Sequence, residues 1–104
     1  MPSTLTAIDC WVLLNCKNAS YVDYASYQFY SEMNRENART AYNQLILKAE
    51  SSEKSWGKRS RYGLIYHFEP AEWEAIRSEL TKYPKFREAI DGKPDNDSVR
   101  EAHS

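Results

Sequence analysis

Two side chains able to move a proton stand two residues apart in this chain, His67 and Glu69, with Glu72 close behind. In an extended segment, residues at i and i+2 share a face, so the imidazole and the first carboxylate could work as an acid–base pair. Nothing converges on them. The chain has no nucleophile elbow, no phosphate-binding glycine loop and no paired-metal carboxylate motif. A half-buried histidine satisfied by a neighbour accounts for His67 more simply, and catalysis is not expected. The candidate metal donors are Cys10, Cys16, His67 and His103. The Cys-x5-Cys spacing is not a zinc spacing, so neither a metal nor a cofactor is expected. A disulfide is excluded by reach. The two Cα atoms would lie about 20 Å apart in a strand and about 9 Å apart in a helix, beyond the roughly 7 Å a disulfide spans. Two reduced, buried thiols follow, as in a cytoplasmic protein.

The remaining chemistry is that of binding. The segment Lys54-Ser-Trp-Gly-Lys-Arg-Ser-Arg-Tyr62 carries Lys54, Lys58, Arg59 and Arg61 with no acid, interleaved with Trp56 and Tyr62. Cations that meet phosphates and rings that stack on bases suit single-stranded nucleic acid. The same set suits an acidic protein surface. A solvated loop leading into a strand would look alike. No RNA-recognition signature accompanies it. The second feature is a tyrosine ladder, Tyr21, Tyr24, Tyr27 and Tyr30. Its neighbours Val22, Ser26, Phe29 and Met33 recur at helical steps and mark a core stripe, which leaves the tyrosines on the other side, Tyr24 and Tyr27 nearly opposite. Tyrosine gives wide contact area with few rotors and a polar tip, so such a face is a candidate docking surface. Burial of all four rings between other elements is the competing account.

These residues need elements to hold them. Ala7–Cys16 reads as a strand because its aliphatic and Trp residues are crowded without a helical gap. A helix started by a Thr6–Asp9 capping box competes for the same residues. Ser20 is the expected N-cap of a helix running to about Met33. Asn34 can cap a second helix, whose face is Ala38, Ala41, Tyr42, Leu45 and Ala49. Residues 53–60 read as a polar loop. Arg61–Phe68 reads as the best strand, with Gly63 marking a bulge or a close backbone approach. Pro70 opens a helix with the stripe Trp73, Ile76, Leu80 and Tyr83, stopped by Pro84. A short helix, Lys85–Asp91, follows, ended by Gly92. The order is strand, helix, helix, strand, helix, short helix, an α+β domain over residues 1–92 with a flexible tail over 93–104. Two strands do not make a stable sheet alone, so a homodimer that completes it is expected.

Composition bounds what the domain can do. Val, Ile, Leu and Phe number 18 of 104 residues, beside eight Tyr and three Trp, so the core must lean on aromatics. The net charge of −1 gives no global basic field; the cations are concentrated in the one short segment. No apolar run approaches the roughly 18 residues of a membrane span, and no signal peptide is evident. The expectation is a small non-enzymatic protein-binding module with an aromatic surface. Its size fits an inhibitor or accessory subunit that occludes a larger macromolecular machine, of the kind phages and mobile elements direct at host systems. Its contact residues would be the four tyrosines together with Lys54, Trp56, Lys58, Arg59 and Arg61. A nucleic-acid binder built on the Trp56 loop is the alternative.

Overall fold

A computed structural model describes residues 5–91. The expected Gly92 cap and the expected tail over 93–104 lie outside the described residues. The order of elements is α1 (Ala7–Asn15), β1 (Tyr21–Val22), α2 (Tyr24–Ser31), α3 (Arg35–Ser51), β2 (Gly57–Ser60), β3 (Gly63–Tyr66), α4 (Pro70–Leu80) and α5 (Pro84–Asp91). The three strands form one antiparallel sheet in the order β1-β3-β2. The class is α+β, as the pattern of the chain predicts. The sheet takes its third strand from this chain.

The first element is a helix rather than a strand. Its start is fixed by the capping box: the Asp9 N–H donates to Thr6 Oγ1 at 3.0 Å and the Thr6 N–H donates to Asp9 Oδ2 at 3.1 Å. The apolar crowding that suggests a strand has another cause. Helix α1 packs against both α2 and α4, and Cys10, Val12 and Leu13 are buried while Ile8, Trp11 and Leu14 are half-buried. A helix covered on several sides shows no amphipathic gap.

The second correction moves the start of α2. Ser20 is not its N-cap: it sits at φ 63°, a left-handed turn, and Tyr21–Val22 then pairs with β3. Asp23 caps instead, its Oδ1 accepting the Ser26 N–H at 2.7 Å. Starting the helix late takes Val22 out of the supposed stripe and into the sheet. The burial of α2 inverts with it: Tyr27 is 1% exposed and Phe29 is 73% exposed. Glu32, at φ 59°, separates α2 from α3, and Asn34 Oδ1 accepts the Asn37 N–H at 2.8 Å as the cap of α3. Helix α3 buries Ala38, Tyr42, Leu45 and Ala49 as its spacing requires, together with Ile46.

Residues 57–60 form a strand, not a loop. The segment predicted as one strand from Arg61 supplies the hairpin turn, Arg61–Tyr62, and a shorter strand, β3. Gly63 marks a close backbone approach. At φ 129°, a Cβ there would lie 2.4 Å from the Val22 carbonyl oxygen, so only glycine fits. Pro84 begins α5 rather than merely ending α4, occupying the first helical position, where its missing N–H is harmless.

Val22, Leu64 and Tyr66 on the inner face of the sheet join one core with the helices, including Leu13, Leu45, Ile76, Leu80, Phe86 and Ile90. Each aliphatic side chain so buried contributes roughly 1.5–3 kcal/mol of transfer free energy. Tyrosines share this interior by spending their hydroxyls on distant groups. Tyr42 donates to the Val22 carbonyl at 2.9 Å, Tyr66 to the Leu13 carbonyl at 2.9 Å and Tyr27 to Asp9 Oδ1 at 2.8 Å. No described helix is long and apolar enough to cross a membrane.

Candidate functional site

Strand pairing determines which side chains share the outer face of the sheet. Opposed residues of an antiparallel ladder point the same way. Tyr21 pairs with Ile65, and Ile65 with Lys58, so the three form a row across β1, β3 and β2. The adjacent row, Val22, Leu64 and Arg59, points the other way, and its first two members are buried in the core. No described helix covers the outer row. Ile65 is 41% exposed, Tyr21 is 40% exposed, and Lys58 lies open to solvent. His67 continues the ladder, its N–H donating to the Trp56 carbonyl at 3.0 Å, and it too is exposed.

The β2–β3 hairpin and the turn before it carry charge, Lys58 on this face and Arg59 in the row that points the other way. Lys54, Lys58, Arg59 and Arg61 are all exposed. Among the described residues none of the four has a carboxylate within 4.0 Å of its side chain, whereas Lys48 pairs with Asp9 and Lys82 with Glu79. Tyr62 is exposed at the hairpin tip, where the Ser60 hydroxyl accepts its N–H and donates to the Gly63 carbonyl. The edge of β2 is blunted: Glu50 Oε2 accepts the Arg59 backbone N–H at 3.0 Å. That contact disfavours adding a further strand at this position. A depression of about 480 Å³ opens beside Ile65, bounded also by Glu50, Ser55, Trp56, Lys58 and His67.

The structure separates the predicted contact residues. Trp56 is not a free stacking ring. It is buried, stacked on Phe68 at 4.7 Å between ring centroids and set edge-on to Tyr66. Tyr27 belongs to the core. Tyr24 is half-buried against Tyr42, donates to the Arg35 carbonyl at 2.6 Å and has the Arg39 guanidinium over its ring. Tyr30 is half-buried and meets Phe29 edge to face. Of the four tyrosines only Tyr21 stands on an open face, and it does so from a strand. The tyrosine ladder therefore does not form one surface, because the rings divide among sheet, core and the α2–α3 junction.

The groups considered for chemistry are also placed. His67 Nε2 lies 3.4 Å from Glu69 Oε1, a pair in which both side chains are largely in solvent. Cys10 and Cys16 are free and buried, and burial pushes both thiols up to about 11. Thiols so placed are poor nucleophiles. Among the described residues no group of three His, Cys, Asp or Glu is arranged to hold a metal ion.

Ile65 and the buried contacts of Asp9 escape a reading of the sequence, which gives Asp9 only as a capping residue. Ile65 looks like core, but the alternation Leu64-Ile65-Tyr66 in a sheet covered on one side puts it outward. Asp9 is 2% exposed, and its carboxylate accepts from Tyr27 Oη, from Lys48 Nζ at 2.9 Å and from the Thr6 N–H. A lone acid inside the apolar run Ile8-Asp9-Cys10-Trp11 is the available signal. No family model, curated protein or solved structure matches this chain.

Proposed function

We propose that the protein is a non-enzymatic binding module that docks on a larger macromolecule through its β2–β3 hairpin and acts as an inhibitor or accessory subunit by occlusion. The observation that carries the reading is the set of four cations on and just before the hairpin, Lys54, Lys58, Arg59 and Arg61, whose side-chain charges have no carboxylate within 4.0 Å among the described residues of a chain whose net charge is −1. Like charges gathered on one hairpin repel one another, and an anionic partner relieves that repulsion. Such a patch steers association and selects against basic surfaces.

Capture from a lysate of the source organism tests this. Wild type is compared with a variant carrying Lys54→Glu, Lys58→Glu, Arg59→Glu and Arg61→Glu. All four side chains are exposed, so circular dichroism should show the fold kept. Wild type should retain a macromolecule that salt releases, and the variant should lose it. Equal capture by both proteins refutes the reading. Tyr62, exposed beside Arg61, favours a second reading in which the anion is single-stranded nucleic acid. Anisotropy titrations with single- and double-stranded probes separate the two, since phosphate contacts make affinity fall steeply with salt.

A further inference from the structure

The face beside the hairpin has a shape and chemistry of its own. The outer row of Tyr21, Ile65 and Lys58 spans three strands. At about 4.8 Å between neighbouring strands, its width is about 10 Å, close to the diameter of one α-helix with its side chains. The inner face of the same sheet is already packed against helices of this chain. A helix on the outer face would add a third layer to this antiparallel sheet.

We infer that the outer face receives an acidic amphipathic helix of a partner protein, a claim that rests on the docking reading above. Tyr21 and Ile65 would meet its apolar stripe, and Lys58 and Arg61 its flanking carboxylates. An apolar centre within a charged rim is the anatomy of a protein interface. The depression beside Ile65 is bounded by Glu50 as well as Lys58, so it would take an apolar side chain while the flanking carboxylates meet Lys58 and Arg61. Glu69, 3.4 Å from His67, and Glu72, whose Oε1 accepts the Glu69 N–H at 3.0 Å, are carboxylates at that end, so the acidic flank belongs on the Lys58 and Arg61 side. Nucleic acid fits less well. The middle of the row is aliphatic Ile65, which offers no stacking plane, and the Trp56 ring is withdrawn into the core.

The test uses three labelled probes against the full chain. One is a synthetic peptide of about 18 residues with leucines on a single helical stripe and glutamates flanking it, long enough to form five turns at roughly 3.6 residues each. The second has the same composition with the leucines scattered. The third is an oligothymidylate. The striped peptide should bind and shift the amide resonances of residues 21–22 and 57–66, and the scattered peptide should bind far more weakly. Ile65→Thr, which keeps a β-branched residue in the strand, should weaken binding about tenfold, and Ile65→Glu should abolish it. Thermal melts of both variants check that the sheet survives. No binding of the striped peptide at millimolar concentration overturns the inference. So does binding indifferent to Ile65, or tighter binding of oligothymidylate at the same residues. If capture from lysate requires the hairpin cations while Ile65→Thr changes neither peptide binding nor capture, the inference falls and the docking reading stands. If the charge-swapped protein captures the same macromolecule, the docking reading itself falls.

Discussion

Replacing Tyr27 tests the assignment of the tyrosine ladder most directly. Were the ring on a docking face, Tyr27→Ala would leave folding intact. The structure requires the opposite. The ring is 1% exposed, lies 6.0 Å from the Tyr42 ring centre to centre, and donates to Asp9 Oδ1 at 2.8 Å. Removing a buried aromatic ring costs about 3–5 kcal/mol, because transfer free energy is lost and a cavity remains. Tyr27→Phe keeps the ring and removes one hydrogen bond to a charged group, about 1.5–3 kcal/mol. Asp9 Oδ2 retains Lys48 Nζ and the Thr6 N–H, so the carboxylate is not stranded. The measurement is urea denaturation followed by circular dichroism. With an m-value of roughly 1–3 kcal/mol/M, the Phe variant should shift the midpoint down by about 1 M. The Ala variant should shift it further, and it should unfold outright if the total stability is near the low end of roughly 5–15 kcal/mol. An Ala variant within about 0.5 kcal/mol of wild type at unchanged m would refute the burial of Tyr27, since only surface changes are that mild.

Two further predictions concern the buried thiols and Gly63. Cys10 and Cys16 have pKa values raised by burial from 9.0 to about 11, and burial also raises the hydroxyls of Tyr27, Tyr42 and Tyr66. Above pH 9 the unfolded chain releases thiol protons that the folded chain keeps. The thiols' contribution to stability is therefore fully present below pH 9.0 and is lost as pH rises through about 11, by up to about 1.4 kcal/mol per pH unit per thiol. Urea midpoints at pH 8 and 10.5 check the sign, and a flat profile would contradict the burial. Gly63→Ala would bring a Cβ to 2.4 Å from the Val22 carbonyl oxygen at a positive φ, so it should lower the thermal midpoint by an amount equivalent to about 1–3 kcal/mol and loosen β1 from β3. Hydrogen exchange at Tyr66, whose N–H donates to the Ser20 carbonyl, reports that loosening; unchanged exchange would show that β1 does not need the glycine.

How much was legible depends on whether a segment's partners are local. Helix α3 was legible from Ala38, Tyr42, Leu45 and Ala49 with Asn34 as its cap, because one buried face at helical spacing and a side chain reaching its own third neighbour are properties of the sequence itself. The opening of α4 at Pro70 was legible for the same reason; α5 was legible as a short helix from Lys85, but its start at Pro84 reads as a stop. The concentration of cations between Lys54 and Arg61 is a matter of composition, and no fold could move it far. Helix α1 was obscured because neighbours on several sides erase the polar face that periodicity relies on. The start of α2 depended on Ser20 adopting a left-handed turn so that two residues could pair with a strand more than forty positions away.

The sequence by itself determined an α+β domain, an aromatic-rich interior, reduced thiols out of each other's reach and one cationic segment. Tertiary structure alone decided which rings are interior. A tyrosine's burial depends on whether a distant acceptor meets its hydroxyl, and Asp9, Val22 and Leu13 do so for Tyr27, Tyr42 and Tyr66. It also decided that Tyr21, Ile65 and Lys58 lie side by side, because cross-strand register joins residues that no spacing along the chain relates.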